Sequence, residues 1–134
     1  MTDCLFCRIA SGEVPARVVY EDDTALAFLD IAPFQRGHTV VIPRRHVKDG
    51  ASDPLAWGEV ASAIVGVSQL VENRLGATAV NILSNAGADA GQSVFHFHIH
   101  VIPRYTDNPG MAAMLNRSDD SSDDLDMLVK LLVL

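Results

Sequence analysis

Short runs of apolar, β-branched and aromatic residues, bounded by polar or glycine-containing segments, recur along the chain and predict strands. Residues 16–22 and 24–30 are two such runs separated by an acidic turn, and they predict a β-hairpin. Residues 38–43 predict a third strand, and residues 78–84 and 94–102 predict a fourth and a fifth. Five strands are enough to build one sheet.

A longer apolar pattern, with helical spacing, separates the third strand from the fourth. Asp53 can cap a helix there, Pro54 suits its first turn, and Gly76 can end it. One apolar stripe is predicted along this helix, formed by Trp57, Val60, Ile64, Val67 and Val71. Successive strands with one long central helix predict an α+β fold: a five-stranded antiparallel sheet, this helix and short terminal helices. A doubly wound α/β fold is disfavoured because helices and strands do not alternate.

Length and composition predict one folded domain over residues 1–134, with an acidic tail at 118–134 that includes a short helix. About half of the residues are apolar, since hydrophobic residues make up 49%, which allows a packed core without disulfides. In the tail helix, aspartates lie near the positive end, and Leu125, Leu128 and Leu132 share one side.

The overall charge and the two termini narrow the class of partner. The net charge of −7 argues against nucleic acid as the main partner, although much of the excess lies in the tail. No uninterrupted apolar run approaches the ~20 residues of a membrane span, and the N-terminus does not resemble a secretion signal. The two cysteines, Cys4 and Cys7, are too few for a secreted disulfide framework. We therefore expect a cytoplasmic protein with neither nucleic acid nor membrane as its partner.

Three histidines occupy every second position of the predicted fifth strand. Because strand side chains alternate between faces, His96, His98 and His100 would share one face. The other face would carry Phe95, Phe97, Ile99 and Val101. Neighbouring rings would start about 7 Å apart, so two of them can reach one metal ion but three cannot easily do so. A neutral imidazole is also a nucleophile toward phosphorus when its other N–H is held by an acceptor. The alternative is a polar sheet face that happens to be rich in histidine.

A glycine-rich segment immediately precedes the histidine row and predicts a tight turn. Gly87 and Gly91 leave backbone N–H groups unobstructed, and Ser93 adds a hydroxyl one step before the predicted strand. Such a turn can form a cradle for a phosphate. The same glycines could serve only to form a tight turn. The neighbouring histidines favour the phosphate cradle over this alternative.

The motif HFHIHVI, residues 96–102, fits the pattern His-φ-His-φ-His-φ-φ (φ apolar) of the histidine-triad nucleotide-binding proteins. The chain resembles that family from the segment containing Cys4 to Tyr105, outside the acidic tail. It looks closest to the branch that hydrolyses nucleoside phosphoramidates, in its bacterial type with an N-terminal Cys-x2-Cys pair. The resemblance implies a five-stranded antiparallel sheet with helices and a homodimer.

The resemblance also implies roles for individual residues. His98 matches the nucleophile that forms a covalent nucleotidyl-histidine, and Ser93 matches a hydroxyl that serves the phosphate and the leaving group. His100 and His38 match supporting histidines near the phosphate. Asp30 would hydrogen-bond the ribose. The other residues implied to contact the nucleotide are Ile31, Asn85, Gly91 and Gln92. Read without the resemblance, Asp30 and Asn85 can be turn formers and His38 a structural histidine.

Cys4 and Cys7 have the spacing of the first half of many tetrahedral zinc sites. Two buried thiols on a short helix would look the same. His46 and His96 could complete a Cys2His2 site, and the resemblance supports this set because some bacterial members bind zinc through matching residues. His96 is then a ligand of a structural zinc ion, while His98 and His100 serve the phosphate. Such a closed site has no open position for hydroxide, so we expect catalysis to need no cofactor.

The leading expectation is a nucleotide hydrolase or transferase that acts at the α-phosphate of nucleoside 5′-phosphoramidates or adenylylated compounds. Its ligand would carry a purine nucleoside monophosphate moiety. A dinucleoside polyphosphate hydrolase is the nearest alternative, and Ser93 favours the phosphoramidase. Two other functions are alternatives. One is a regulatory nucleotide-binding module with incidental catalysis, and the other is a metal hydrolase built on His96 and His98.

Overall fold

The computed structural model describes residues 3–108, 118 and 124–133. Within them, one antiparallel sheet has the strand order β1-β2-β3-β5-β4. The strands are β1 (Val18–Glu21), β2 (Ala25–Leu29), β3 (Thr39–Pro43), β4 (Ala79–Leu83) and β5 (Ile99–Arg104). The helices are α1 (Leu5–Ala10), α2 (Pro54–Leu75) and α3 (Leu125–Leu132), with a 3-10 turn at Ala88–Ala90. The predicted α+β fold is confirmed.

The predicted hairpin is formed by β1 and β2. Glu21 pairs with Leu26, and the Asp22 carboxylate accepts hydrogen bonds from the amides of Thr24 and Ala25. An aspartate that binds amides two and three residues ahead closes a tight turn without a glycine. The hairpin therefore forms from local contacts and provides β2, which borders the site.

Helix α2 has the predicted ends. The Asp53 carboxylate accepts a hydrogen bond from the Leu55 amide, and Gly76 ends the helix with a positive φ of 76°. The predicted stripe is wrong in part, because Trp57 is 41% exposed and Ile64 is only partly buried. The buried face consists of Ala56, Val60, Ala63, Val67 and Val71. Small alanines let the helix approach the sheet closely, and a search for large apolar residues overlooks them.

By length and composition alone, α2 is the one helix of the described residues that is long and apolar enough to cross a membrane. The sequence shows no uninterrupted apolar run there, because Glu59, Glu72 and Arg74 interrupt it. The buried face of α2 packs against the sheet. This is the pattern of a helix that covers a protein core, which passes the same test.

The sheet separates two apolar clusters. On the α2 side, Phe97, Ile99 and Val101 pack with the helix. On the other side, Phe6 of α1 packs with residues of β2 and β3, including Val40. His100 pairs with Val40 in the sheet, and paired residues point to the same face. His98 and His100, at alternate positions of the row, therefore lie on the α1 face.

Strand β5 differs from the predicted strand over residues 94–102, because it runs from Ile99 to Arg104. Extending its register with β3 would place Pro43 opposite Phe97, and proline has no N–H to give to a ladder. The Phe97 amide donates instead to the Val47 carbonyl, at 2.6 Å. The predicted alternation of faces is correct from Phe97 to Val101, whereas Phe95 lies outside β5 and is 47% exposed.

The predicted short helix of the acidic tail is present as α3. The Asp124 carboxylate accepts hydrogen bonds from the amides of Asp126 and Met127, so the acidic residues lie at the positive helix end, as predicted. The predicted apolar side, Leu125, Leu128 and Leu132, is exposed. Residues 119–123 and 134 of the predicted tail lie outside the described residues.

Candidate active site and candidate metal centre

Two depressions on the α1 face share Asp30 as a border. The first, which we call the apolar pocket, has a volume of about 230 Å³ and lies between α1 and β2. It is bordered by Leu5, Phe6, Ile9, Phe28 and Ile31 among others. The second, the histidine pocket, has a volume of about 670 Å³. It is bordered by Asn85, Gly91, Ser93, His98 and His100 among others. Most of the predicted nucleotide residues therefore line one continuous region.

Backbone contacts fix the protonation of His98. Its Nδ1 atom lies 2.7 Å from the carbonyl oxygen of His96. A carbonyl can only accept, so Nδ1 carries the proton. Burial lowers the pKa of His98, an effect opposed by this hydrogen bond and by the charge of Asp30. The ring is therefore neutral at pH 7, and Nε2 has a free lone pair.

His38 and His100 have tautomers fixed by a chain of hydrogen bonds. The Phe34 amide donates to Nδ1 of His38 at 3.1 Å, so the proton of neutral His38 is on Nε2. That Nε2 lies 2.9 Å from Nδ1 of His100 and donates to it. The proton of His100 is consequently on its own Nε2. Burial is the largest cause that lowers the pKa of both rings, to about 4 in His100.

The two neighbouring rings thus carry opposite functional groups at Nε2. The ring centres of His98 and His100 are 5.0 Å apart, and both residues border the histidine pocket. His98 has a lone pair and His100 an N–H donor. His38 does not border the pocket and contacts Nδ1 of His100. A nucleophile beside a hydrogen-bond donor is suited to attack on an anionic phosphorus centre.

Asp30, His38 and His100 are close enough to suggest a metal site, because their ligand atoms lie within 4.8 Å of one another. The tautomer of His38 argues against it. Nε2 of His38, which lies 3.6 Å from Oδ2 of Asp30, carries a hydrogen and has no lone pair to give to an ion. We interpret this group as a hydrogen-bonded pair, His38 and His100, beside the Asp30 carboxylate.

The glycine-rich turn differs from the predicted phosphate cradle. Gly87 and Gly91 have φ values of +98° and +97°, but their amides donate within the turn, to Oε1 of Gln92 and to the Ala88 carbonyl. The Gln92 amide also donates within the turn, to Gly87. These amides are therefore not available to an anion. Of the predicted cradle residues, Ser93 remains the one with a hydroxyl at the pocket.

Gln92 and Ile31 occupy contrasting positions. Gln92 is buried, and its side-chain amide donates to the carbonyls of Lys48 and Val94. It holds the turn together and does not border the pocket, contrary to the predicted nucleotide contact. Ile31 is 90% exposed at the apolar pocket, where its side chain is available to a ligand.

Cys4, Cys7, His46 and His96 converge as predicted, with all four ligand atoms within 4.8 Å of one another. Nδ1 of His96 lies 3.4 Å from both sulfur atoms, and Nδ1 of His46 lies 3.3 Å from Sγ of Cys7. Nε2 of His96 lies 2.9 Å from the carbonyl oxygen of Pro43 and must donate to it. The lone pair of His96 therefore faces the thiols. Two sulfur and two imidazole ligands, with one ring held by a carbonyl, fit a tetrahedral zinc ion.

Three contributors were not predicted from the sequence. Ser84 Oγ donates to the carbonyl of His98 at 2.7 Å. The ring of Phe34 stacks on His38, with centres 5.5 Å apart. Phe6 lies edge-on to His98, with centres 5.0 Å apart. Only Phe6 has a signal in the sequence, because it lies between Cys4 and Cys7 and must follow them toward His96.

Comparisons with other proteins agree with this geometry. A HIT-like protein of Methanocaldococcus jannaschii is 43% identical over 129 residues, which cover 95% of this chain and 96% of that protein. An Arabidopsis thaliana relative named adenylylsulfatase HINT3 is 40% identical over 76% of this chain and 52% of its own length.

Solved structures give the same result. The crystal structure of a HIT family member from Bacillus subtilis matches with a TM-score of 0.84 and 34% identity, covering 97% of this chain and 94% of that one. A zinc-bound histidine triad family protein from Mycobacterium smegmatis matches with a TM-score of 0.76 and 40% identity, covering 81% and 79%. The family model described as the HIT domain matches residues 11–107. The chain therefore belongs to the HIT domain family.

Proposed function

We propose that the protein is a nucleotide hydrolase or transferase that acts at the α-phosphate of nucleoside 5′-phosphoramidates and adenylylated compounds, through a nucleotidyl-His98 intermediate. The observation that carries this proposal is the protonation of two neighbouring rings: Nε2 has a lone pair in His98 and a hydrogen in His100. Backbone groups fix both tautomers, directly in His98 and through His38 in His100. Membership in the HIT family and the relative named adenylylsulfatase support a hydrolase acting on a nucleotide.

In the first step, Nε2 of His98 attacks phosphorus, and the bond from phosphorus to the leaving group breaks. The electron pair of that bond goes to the leaving nitrogen, which takes a proton from solvent through the Ser93 hydroxyl. The charge gained by the His98 ring is shared with the His96 carbonyl through Nδ1–H. His100 donates Nε2–H to a phosphoryl oxygen, and one such donor is typically worth about 10²–10³ in rate.

In the second step, water attacks phosphorus and the bond to Nε2 of His98 breaks. The water releases one proton to solvent, the ring recovers its lone pair, and the nucleoside monophosphate leaves. A fixed tautomer is important here because a ring that rotated or lost its Nδ1 proton would not return to the reactive form. Ser84, which donates to the His98 carbonyl, holds the backbone of this residue.

The nucleoside fits the apolar pocket in this proposal. Oδ1 of Asp30 accepts a hydrogen bond from the Ala32 amide, which leaves the rest of the carboxylate for the ribose hydroxyls between the two pockets. The base would then lie among Leu5, Phe6 and Ile31, where apolar contacts bind a purine without selecting its edge. A purine nucleoside monophosphate is the expected product.

We further propose that zinc occupies the Cys4–Cys7–His46–His96 cluster. When bound, a four-ligand zinc ion would connect the N-terminal helix to the sheet and provide no open position for a reacting group. The lone pair of His96 facing both thiols supports this assignment, as does the zinc-bound relative from Mycobacterium smegmatis. Catalysis then depends on the chain's own histidines.

A homodimer is the remaining proposal from the resemblance. Strand β4 lies at the edge of the sheet, where it pairs with β5 on one side, and Ile82 on it is half exposed. An edge strand of this kind can pair with the same strand of a second copy. Sedimentation equilibrium of the purified chain measures the mass directly, and a monomer at all concentrations would contradict the proposal.

The decisive experiment for the reaction is to detect the covalent intermediate. Protein mixed briefly with adenosine 5′-phosphoramidate and quenched without acid should show the mass of one adenylyl group on the peptide containing His98. The H98A variant should bind AMP as the parent does but show neither adduct nor turnover. Full activity of H98A would reject the mechanism. A panel with adenosine 5′-phosphosulfate and a diadenosine polyphosphate then ranks the leaving groups.

A further inference from the structure

We propose that Phe6 couples the Cys4–Cys7–His46–His96 cluster to the nucleotide pockets, so that zinc in the cluster strengthens the binding of AMP. The identity of this nucleotide rests on the proposed function. Phe6 is a positioning residue in this proposal, since it acts through α1 and His98.

Helix α1 belongs to the metal cluster and to the apolar pocket at the same time. Cys4 is its N-cap, and its sulfur accepts a hydrogen bond from the Cys7 amide at 3.4 Å. Leu5, Phe6 and Ile9 of the same helix border the apolar pocket. An ion that holds the two thiols therefore also holds one wall of the pocket.

The Phe6 ring lies at the centre of this arrangement. Its centre is 6.0 Å from that of the ligand His96 and 5.0 Å from that of His98, in both cases edge to face. It is also 5.5 Å from the ring of Phe28, which borders the apolar pocket too. Phe6 is buried, so a shift of α1 moves a ring that touches both the nucleophile and the pocket.

Helix α1 depends on these contacts for its position. It has six residues, and isolated helices shorter than about 12 residues are not stable in water. Its apolar side is held by Phe6 and Ile9, and its thiols face His46 and His96. The contacts between these thiols and the two imidazoles are sulfur–nitrogen contacts of 3.3–3.4 Å, which are weak compared with bonds to a metal ion. Zinc would order α1 in advance, and the nucleotide would then have less to order when it binds.

The coupling must be reciprocal, and this makes it measurable from both sides. If zinc tightens AMP binding by some factor, AMP must tighten zinc binding by the same factor. Calorimetry gives the Kd for AMP with zinc-loaded and zinc-stripped full-length chain. Competition with a chromophoric chelator gives the Kd for zinc with and without AMP. Couplings of this kind are typically about 5- to 150-fold, and we expect equal factors in the two measurements.

Two substitutions in α1 separate coupling from simple helix stability. F6L retains all four metal ligands and an apolar side chain but removes the ring between His96 and His98. It should bind zinc and show a coupling factor near one. R8A is the matched control, because Arg8 lies on the exposed side of α1 in an ion pair with Glu13. R8A should keep the coupling factor of the parent.

Cobalt(II) provides a measurement that does not require a stable metal-free protein. Cobalt bound to the two thiolates absorbs visibly, and AMP should change this spectrum in the parent and in R8A but not in F6L. Equal AMP affinities with and without zinc, or a parental coupling factor in F6L, would overturn the proposal. A zinc-loaded parent that does not bind AMP at all would instead overturn the proposed function.

Discussion

The Nδ1 atom of His98 lies 2.7 Å from the carbonyl oxygen of His96, and this contact connects the candidate nucleophile to a residue of the candidate metal cluster. The ring of His96 faces the thiols of Cys4 and Cys7, while its backbone fixes the tautomer of His98. One residue therefore serves both the metal cluster and the nucleophile. The same principle operates at His100, whose tautomer is fixed from the Phe34 amide through His38.

The first prediction concerns His38, which we expect to act only through His100. In H38L, His100 loses the donor at its Nδ1, the tautomer is no longer fixed, and the Phe34 amide is left without its acceptor. We expect kcat/KM for adenosine 5′-phosphoramidate to fall about 10²-fold, the typical cost of one lost oxyanion donor.

H38Q is the matched control, since the glutamine amide can still donate to Nδ1 of His100. It should recover at least part of the lost kcat/KM, and nitrogen-15 NMR should show the Nε2–H tautomer of His100 in H38Q but a mixture in H38L. Equal losses in the two variants with an unchanged His100 tautomer would make His38 a packing residue only.

The second prediction compares two glycines of the same turn that share a positive φ but differ in ψ. Gly91 and Gly87 have φ values of +97° and +98°, so a substitution by alanine strains both positions. Gly91 has a ψ of 8°, in the left-handed region, whereas Gly87 has a ψ of 154°, in a region that is almost exclusive to glycine. A Cβ on Gly91 would lie 3.4 Å from Nδ2 of Asn85 at the histidine pocket, whereas a Cβ on Gly87 would meet nothing within 4 Å. We expect G91A to lose about 1–2 kcal/mol of unfolding free energy and G87A to lose at least as much.

The activities of these two variants should differ. G91A should lose about tenfold more kcat/KM than G87A, because only the alanine at 91 adds a methyl group at the border of the histidine pocket, in contact with Asn85. Tenfold corresponds to about 1.4 kcal/mol of transition-state stabilisation. Urea unfolding and steady-state kinetics on both proteins check this. If the loss of kcat/KM is proportional to the loss of unfolding free energy in both variants, Gly91 has no specific role in the site.

The fold could be predicted from the sequence because local patterns determine it. Asp53, Pro54 and Gly76 mark both ends of α2, and the acidic turn at Asp22 marks the hairpin. The start of β5 could not be predicted, because it depends on which residue of β3 lies opposite. Pro43 reaches that position only after the sheet has formed.

The candidate site also has features that the sequence predicts and features that it does not. Identities at fixed spacing, such as His98 with His100 or Cys4 with Cys7, indicated which side chains converge. The state of each group depends on partners that are distant in sequence. The amide of Phe34 and the carbonyl of Pro43 decide which nitrogen of a histidine carries its proton. Gln92 was predicted to contact the nucleotide and instead holds the turn, because its partners, such as the Lys48 carbonyl, are known only from the fold.

The third prediction is that the purified chain contains zinc, about one ion for each Cys2His2 cluster, as expected for a four-ligand site. C4A removes one thiolate and should lower the zinc affinity and the Tm. R8A, on the exposed side of the same helix, should keep both. Metal analysis of protein prepared without chelator measures the content. A content near zero, even after zinc has been supplied, would remove the zinc assignment while leaving the histidine mechanism in place.

The fourth prediction follows from the lowered pKa of His100. Burial, with the neighbouring His98 and His38, lowers this pKa from 6.5 to about 4. Between these two values the unfolded chain binds more protons than the native protein, so the free energy of unfolding falls as the pH falls from about 6.5 to about 4. Above pH 6.5 both states are neutral at this ring, and His100 contributes no pH dependence.

Urea unfolding at pH 7 and at pH 4.5 tests this contribution in the parent and in H100N. Zinc release and the titration of other groups lower the stability of both proteins in acid, so the informative quantity is the difference between the two slopes. We expect the parent to lose about 1–2 kcal/mol more than H100N, a value reduced from the full effect of the shift because the ring is partly exposed. The same pH dependence in both proteins would mean that His100 is not held neutral by the fold.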